Sequence, residues 1–109
     1  MRLSELIIYA RERHHIEELH KWREMPGLSG LVSPASGKWL ALLMRERDAG
    51  GRIRERCDLK YSAFRELPAR DYLTQGFRMP GWLGVRFGAE TERAFLLHVF
   101  DLAVEEEAE

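Results

Sequence analysis

The sequence holds a single cysteine, Cys57, among its 109 residues. An intrachain disulfide and a thiolate-bound metal cluster are thereby excluded. No long hydrophobic run is present either. The longest, Trp39-Leu40-Ala41-Leu42-Leu43-Met44, falls far short of the roughly 20 residues that cross a bilayer, so no membrane anchor is expected. The opening residues Met1-Arg2-Leu3-Ser4-Glu5 lack the charged lead-in, apolar stretch and small-residue cleavage site of an export signal, which leads us to expect a cytoplasmic protein. Neither sign of charge dominates: 17 basic side chains face 18 acidic ones. A protein that grips phosphates usually carries a clear basic surplus, because much of its affinity comes from neutralising the backbone.

The charge that exists is unevenly placed. Residues 1–37 carry five basic and five acidic side chains, residues 38–93 twelve and eight, and residues 94–109 none and five. The middle is mildly basic. The end is acidic, and Glu105-Glu106-Glu107 opens what reads as a frayed, solvated tail over 105–109. With 45% apolar and 32% charged residues, the rest has the composition of one folded domain spanning 1–109.

Periodicity sets the elements. Leu3, Leu6, Ile7 and Ala10 share a helical face from Ser4, a candidate N-cap, to about Arg13. Ile16, Leu19 and Trp22 would fall on the opposite side, so a break or a second short helix is expected near His14-His15. Met25-Pro26-Gly27 ends any helix. Leu28 to Ser33 reads as a short strand. Trp39 to Met44 is the clearest strand, apolar on both alternating faces, Trp39/Ala41/Leu43 and Leu40/Leu42/Met44, as in a central strand covered on each side. Asp48-Ala49-Gly50-Gly51 joins it to a strand over Arg52 to Lys60 as a hairpin. Ser62 caps a helical turn that Pro68 stops. Gly76-Phe77-Arg78-Met79 and Trp82 to Phe87, joined by Pro80-Gly81, suggest a second hairpin, with Leu83, Val85 and Phe87 on one face. A helix from about Thr91 to Val104 closes the chain, its apolar arc wider than one sheet face covers. The order implies an α+β fold: an antiparallel sheet with the N-terminal and C-terminal helices packed on one face.

From Gly37 to Val104 the chain resembles the MmcQ/YjbR family, small bacterial proteins with a frataxin/CyaY-like fold described as a double-wing DNA-binding domain. Gly37-Lys38-Trp39-Leu40-Ala41-Leu42-Leu43 is similar to the family's central strand, and Asp58-Leu59-Lys60-Tyr61 to its Asn-Leu-Lys-Cys segment. Gly76-Phe77-Arg78-Met79 with Trp82 matches its Gly-Tyr-His-Met and following tryptophan, and Val85 with Phe87 its last strand. The resemblance implies the fold above and points to DNA. Pro80-Gly81 stands where the family commonly has a polar, basic stretch, so the phosphate-facing tip of that wing is missing.

The candidate contact surface is the first hairpin, where Arg45, Arg47, Arg52, Arg54 and Arg56 gather around one turn. With a two- or four-residue loop, Arg45 and Arg47 face arginines across the ladder, which destabilises a sheet by a few tenths to ~1 kcal/mol per pair and favours an anionic partner. With a three-residue loop and a glycine bulge, Arg45 faces Glu55 and Glu46 faces Arg54, giving surface ion pairs worth about 0–1 kcal/mol. Lys60 and Arg78, with Lys38 and Arg86, extend the patch only if the sheet brings them to the same side. The other expected partner is a second copy or another protein, through the Trp39–Met44 strand or the C-terminal helix.

No catalytic constellation stands out. His14, His15 and His20 do not converge at helical spacing, and no metal site or cofactor is expected. His98 and Asp101 fall on a narrow polar stripe, and Cys57 lacks an identifiable base and reads as apolar filler. Trp22, Trp39 and Trp82 read as core or rim anchors, with base stacking the alternative use.

Overall fold

The computed structural model describes residues 1–109. In chain order it runs α1 (Leu3–His14), β1 (Glu18–Leu19), β2 (Leu28–Val32), β3 (Trp39–Arg47), β4 (Ile53–Leu59), a 3-10 turn (Phe64–Glu66), β5 (Leu73–Gln75), β6 (Leu83–Phe87) and α2 (Arg93–Ala108). The strands form one antiparallel sheet in the order β1-β2-β3-β4-β6-β5. No helix is long and apolar enough to cross a membrane.

Directly paired residues in an antiparallel ladder share a face, so the register divides the sheet. One face carries the rows Ser29-Leu43-Cys57-Val85-Leu73 and Leu31-Ala41-Leu59-Leu83. Most of these side chains join Leu3, Leu6 and Ala10 of α1 and Leu96, Val99, Phe100 and Ala103 of α2 in one core. Both helices therefore cover this face, and each large apolar side chain buried there contributes about 1.5–3 kcal/mol. The opposite face carries Leu28-Met44-Arg56-Arg86 and Gly30-Leu42-Asp58-Gly84-Thr74. No helix lies over it.

Several expectations are corrected by local hydrogen bonding. Ser4 does not cap α1: Arg2 holds the N-cap position, and the Glu5 carboxylate accepts its N–H at 2.7 Å. The chain breaks at His14-His15, with His15 left-handed at φ 57° and the N–H groups of His15 and Ile16 closing on Arg11 and Ala10 carbonyls. A two-residue edge strand, β1, follows instead of a second helix. Trp39 does not share a face with Ala41 and Leu43. Leu31 pairs with Ala41 but Val32 pairs with Trp39, so Leu40 is an extra residue and the bulge moves Trp39 to the open face, across Gly30. A Cβ on Gly30 would overlap the Trp39 ring.

The strand expected at Gly76–Met79 lies earlier, at Leu73–Gln75, because Asp58 takes the N–H groups of Phe77, Arg78 and Met79 out of any ladder. Ser62 caps nothing: its N–H and hydroxyl bond the Glu106 carboxylate. α2 starts at Arg93 rather than Thr91, whose hydroxyl donates to the Arg86 carbonyl at 2.8 Å. The acidic tail is not frayed. α2 continues to Ala108, and Glu107 is tied to Lys60 and Ser36.

Candidate nucleic-acid interface

The first hairpin closes through Asp48. Its N–H donates to the Arg52 carbonyl at 2.8 Å, and its carboxylate accepts the N–H groups of Arg52 and Gly50, both at 2.9 Å. Ala49-Gly50-Gly51 is left as a three-residue loop, with Gly51 at φ 82° where other residues are strained. The Arg52 N–H and the Arg54 guanidinium hold the Asp48 carboxyl below its usual range. Arg45 consequently faces Glu55 and Glu46 faces Arg54, the charge-alternating one of the two registers. Beyond Met44 on one side and Glu55 on the other, the neighbouring strands stop pairing, so the hairpin projects as a two-stranded ribbon.

Alternation splits the hairpin arginines between two faces. Arg45 and Arg47 belong to the helix-covered side, Arg54 and Arg56 to the open side, and Arg52 ends the open-side row. Arg45 bonds Glu18 at 3.2 Å, where the Ser29 hydroxyl also donates at 2.5 Å. Burial pushes the Glu18 carboxyl up, but the Ser29 and Arg45 bonds outweigh it and hold the group below its ordinary value. Arg47 donates to the Gly51 carbonyl at 2.7 Å. Lys60 sits at the far end of β4, held by Glu107 at 3.0 Å, and does not join the ribbon. Nine ion pairs form across the molecule, and four of them engage Arg45, Arg54, Arg56 and Lys60. Arg47, Arg52 and Arg78 have no acidic partner.

The centre of the open face is a pair of like charges. Arg56 and Arg86 are directly opposed on β4 and β6, and both guanidinium groups lie over the Phe77 ring, 4.6 and 5.3 Å from its centre. Arg56 reaches Glu46 at 2.5 Å, yet its Nε is buried without a hydrogen-bond partner. Phe77 is placed there by the buried Asp58, whose carboxylate accepts the N–H groups of Phe77, Arg78 and Met79 at 2.7–2.8 Å. Asp58 is thus a clamp that folds the β5–β6 loop back over the sheet. Two clefts flank the Arg56–Glu46 pair. One of about 190 Å³ is lined by Ile53, Arg54, Glu55, Arg56, Arg86 and Phe87. The other, of about 280 Å³, runs between Met25, Gly27, Leu28, Met44, Arg45 and Glu46 and is bordered by Arg78.

The remaining candidates lie elsewhere. His14 bonds Asp101 at 2.6 Å, and Tyr9 donates to the same carboxylate at 2.9 Å, joining α1 to α2. His20 faces Glu18, and His15 and His98 are exposed. Cys57 is fully buried, and burial pushes its thiol far above the ordinary value. β3 is interior to the sheet, and the apolar arc of α2 meets the core together with Tyr61, Phe64 and Leu67. Sequence reading left Arg86 out of the principal set, although the alternation of Leu83, Val85 and Phe87 already placed it on the outward face. Phe77 and Asp58 carried no such signal, because their roles depend on a loop that folds back across strands distant in sequence.

No known family's sequence profile matches the chain, and no curated protein does. Two solved structures of a protein from Pseudomonas syringae are similar to it. The crystal structure has a TM-score of 0.84 at 18% identity, covering 98% of this chain and 99% of that one. The solution NMR structure has a TM-score of 0.79 at 18% identity, covering 98% and 93%. The likeness shows that the six-stranded antiparallel sheet with its two flanking helices is a fold adopted elsewhere over the whole chain length.

Proposed function

We propose that the protein is a cytoplasmic, MmcQ/YjbR-like DNA-binding module that holds a phosphate backbone against the open sheet face and the projecting ribbon. Arg86 and Arg56 take the central phosphate, and Arg52, Arg54 and Arg78 take its neighbours. The observation that carries this reading is the opposed Arg56–Arg86 pair over Phe77. Two guanidinium groups facing each other across a ladder destabilise the free protein by a few tenths to ~1 kcal/mol, and a bridging oxyanion removes that cost. Arg47 at the ribbon tip adds a further cation without an acidic partner. Self-association is the weaker reading, since the two surfaces it calls on already have partners within the chain.

The ion pairs at Glu46 and Asp48 set the expected strength. Binding is weak and insensitive to sequence, and it falls steeply as salt rises. Anisotropy of a labelled oligonucleotide titrated over increasing salt tests it, and absence of binding at low salt rejects it.

A further inference from the structure

The open face carries a second feature that phosphate contact does not use. Trp39, moved onto that face by the Leu40 bulge, lies flat over Gly30 and is stacked in turn by Trp22, ring centres 5.1 Å apart and tilted by 34°. The result is a layered platform of backbone, indole and indole. Its outer ring, Trp22, is half-buried and lines a cleft of about 380 Å³ with Lys21, Arg23, Glu24 and Met25. Lys21 lies 5.9 Å over the Trp39 ring, and neither it nor Arg23 forms an ion pair. Trp22 is thus backed by Trp39 and partly exposed in that cleft, whose lining includes two cations without acidic partners.

From this we infer that Trp22 is a base-stacking subsite, and that the nucleic acid taken by the open face is single-stranded. The inference rests on the phosphate-binding reading above. A duplex presents only base edges in its grooves, so the flat face of Trp22 can be covered only by a base free of its own stack and pair. Lys21 and Arg23 then stand where the flanking phosphates of that base run. Across the bulge Trp39 and Met44 pair with Val32 and Leu28, four ladder positions or about 13 Å apart, and Met44 is directly paired with Arg56, so one extended strand of several nucleotides reaches both subsites.

The test compares three probes: a short labelled oligodeoxythymidylate, the matching duplex, and inorganic polyphosphate, each with the wild type, Trp22→Ala and Trp22→Phe. The expected result is that the single strand quenches tryptophan fluorescence and binds more tightly than the duplex. Trp22→Ala should weaken it by roughly 5- to 150-fold, the range for loss of one base–aromatic stack, and Trp22→Phe should restore most of it. Polyphosphate binding should be the same in all three proteins, which also shows that the variants fold. If Trp22→Ala leaves single-strand affinity unchanged while all probes bind, the stacking subsite is wrong and the phosphate reading stands. If neither nucleic acid nor polyphosphate binds at low salt, both fall. Quenching of Trp22 by a proline-rich peptide but not by the oligonucleotide would assign the platform to a protein partner and overturn the inference.

Discussion

Arg86 and Arg56 share one aromatic ring, Phe77, from adjacent strands, and only Arg56 has an acidic partner. Two small terms act on Arg86 in the free protein. Its exposed cation–π contact stabilises by about 0.5–1 kcal/mol, and its opposition to Arg56 destabilises by a few tenths to ~1 kcal/mol. The terms nearly cancel, so Arg86→Ala should leave the unfolding midpoint in urea within experimental scatter. Polyanion affinity should fall, and the slope of log affinity against log salt should shrink by about one. A variant that unfolds early, or one that keeps its full slope, would contradict the role given to Arg86.

Glu46 acts in the opposite direction. It neutralises Arg56 at 2.5 Å on a surface where such a pair is worth about 0–1 kcal/mol. Glu46→Gln should cost little stability, raise polyanion affinity and steepen the salt dependence. Unchanged affinity would mean that Arg56 takes no part in binding.

Asp58 holds three backbone N–H groups in a buried position. Charge-assisted bonds of this kind, and the cost of orphaning their donors, put the loss for Asp58→Ala on the order of 3 kcal/mol, with Asp58→Asn intermediate because one acceptor oxygen remains. Hydrogen exchange should show the amides of Phe77, Arg78 and Met79 losing protection first. Uniform loss of protection across β4 would indicate instead that the clamp supports the whole sheet.

Gly30 is a space requirement imposed by Trp39. Gly30→Ala should displace the stacked indoles and destabilise by about 1–3 kcal/mol, with a changed near-ultraviolet circular dichroism signal from the tryptophans. Retention of that signal would place the Trp39 ring elsewhere.

Acid should weaken the fold. Glu18, Asp48 and Glu107 all ionise more readily in the folded chain than their ordinary values of 4.5, 3.8 and 4.5. For Glu107 the main cause is the Lys60 bond. A carboxyl depressed on folding contributes stability above its unfolded value and loses it as pH falls through the folded one. The urea midpoint should therefore be level above about pH 5 and decline below about pH 4, and a midpoint that rises with acid would contradict these pairings.

The α+β architecture could be read from periodicity because its main elements bury regular faces: Leu3, Leu6 and Ala10 in α1, Leu96, Val99, Phe100 and Ala103 in α2, and Leu83 and Val85 in β6. Register was another matter. Asp48-Ala49-Gly50-Gly51 is compatible with loops of two, three or four residues, and side-chain bonds from Asp48 to the far side of the turn decide among them. The bulge at Leu40 was equally hidden, since an apolar run with no polar residue in it gives no phase to lose. β1 is too short to carry a pattern. The Asp58 clamp joins residues about twenty positions apart, beyond any local rule. What the arginine cluster could not disclose was its division between two faces, which follows once the strands alternate around a fixed turn.

The sheet terminates on its two shortest members, β1 with two residues and β5 with three. Such stubs expose few free amides, and the ribbon that outruns its neighbours carries charge along both margins. The molecule therefore offers an incoming extended chain almost no ladder to lengthen, which should let it be concentrated without growing into fibres.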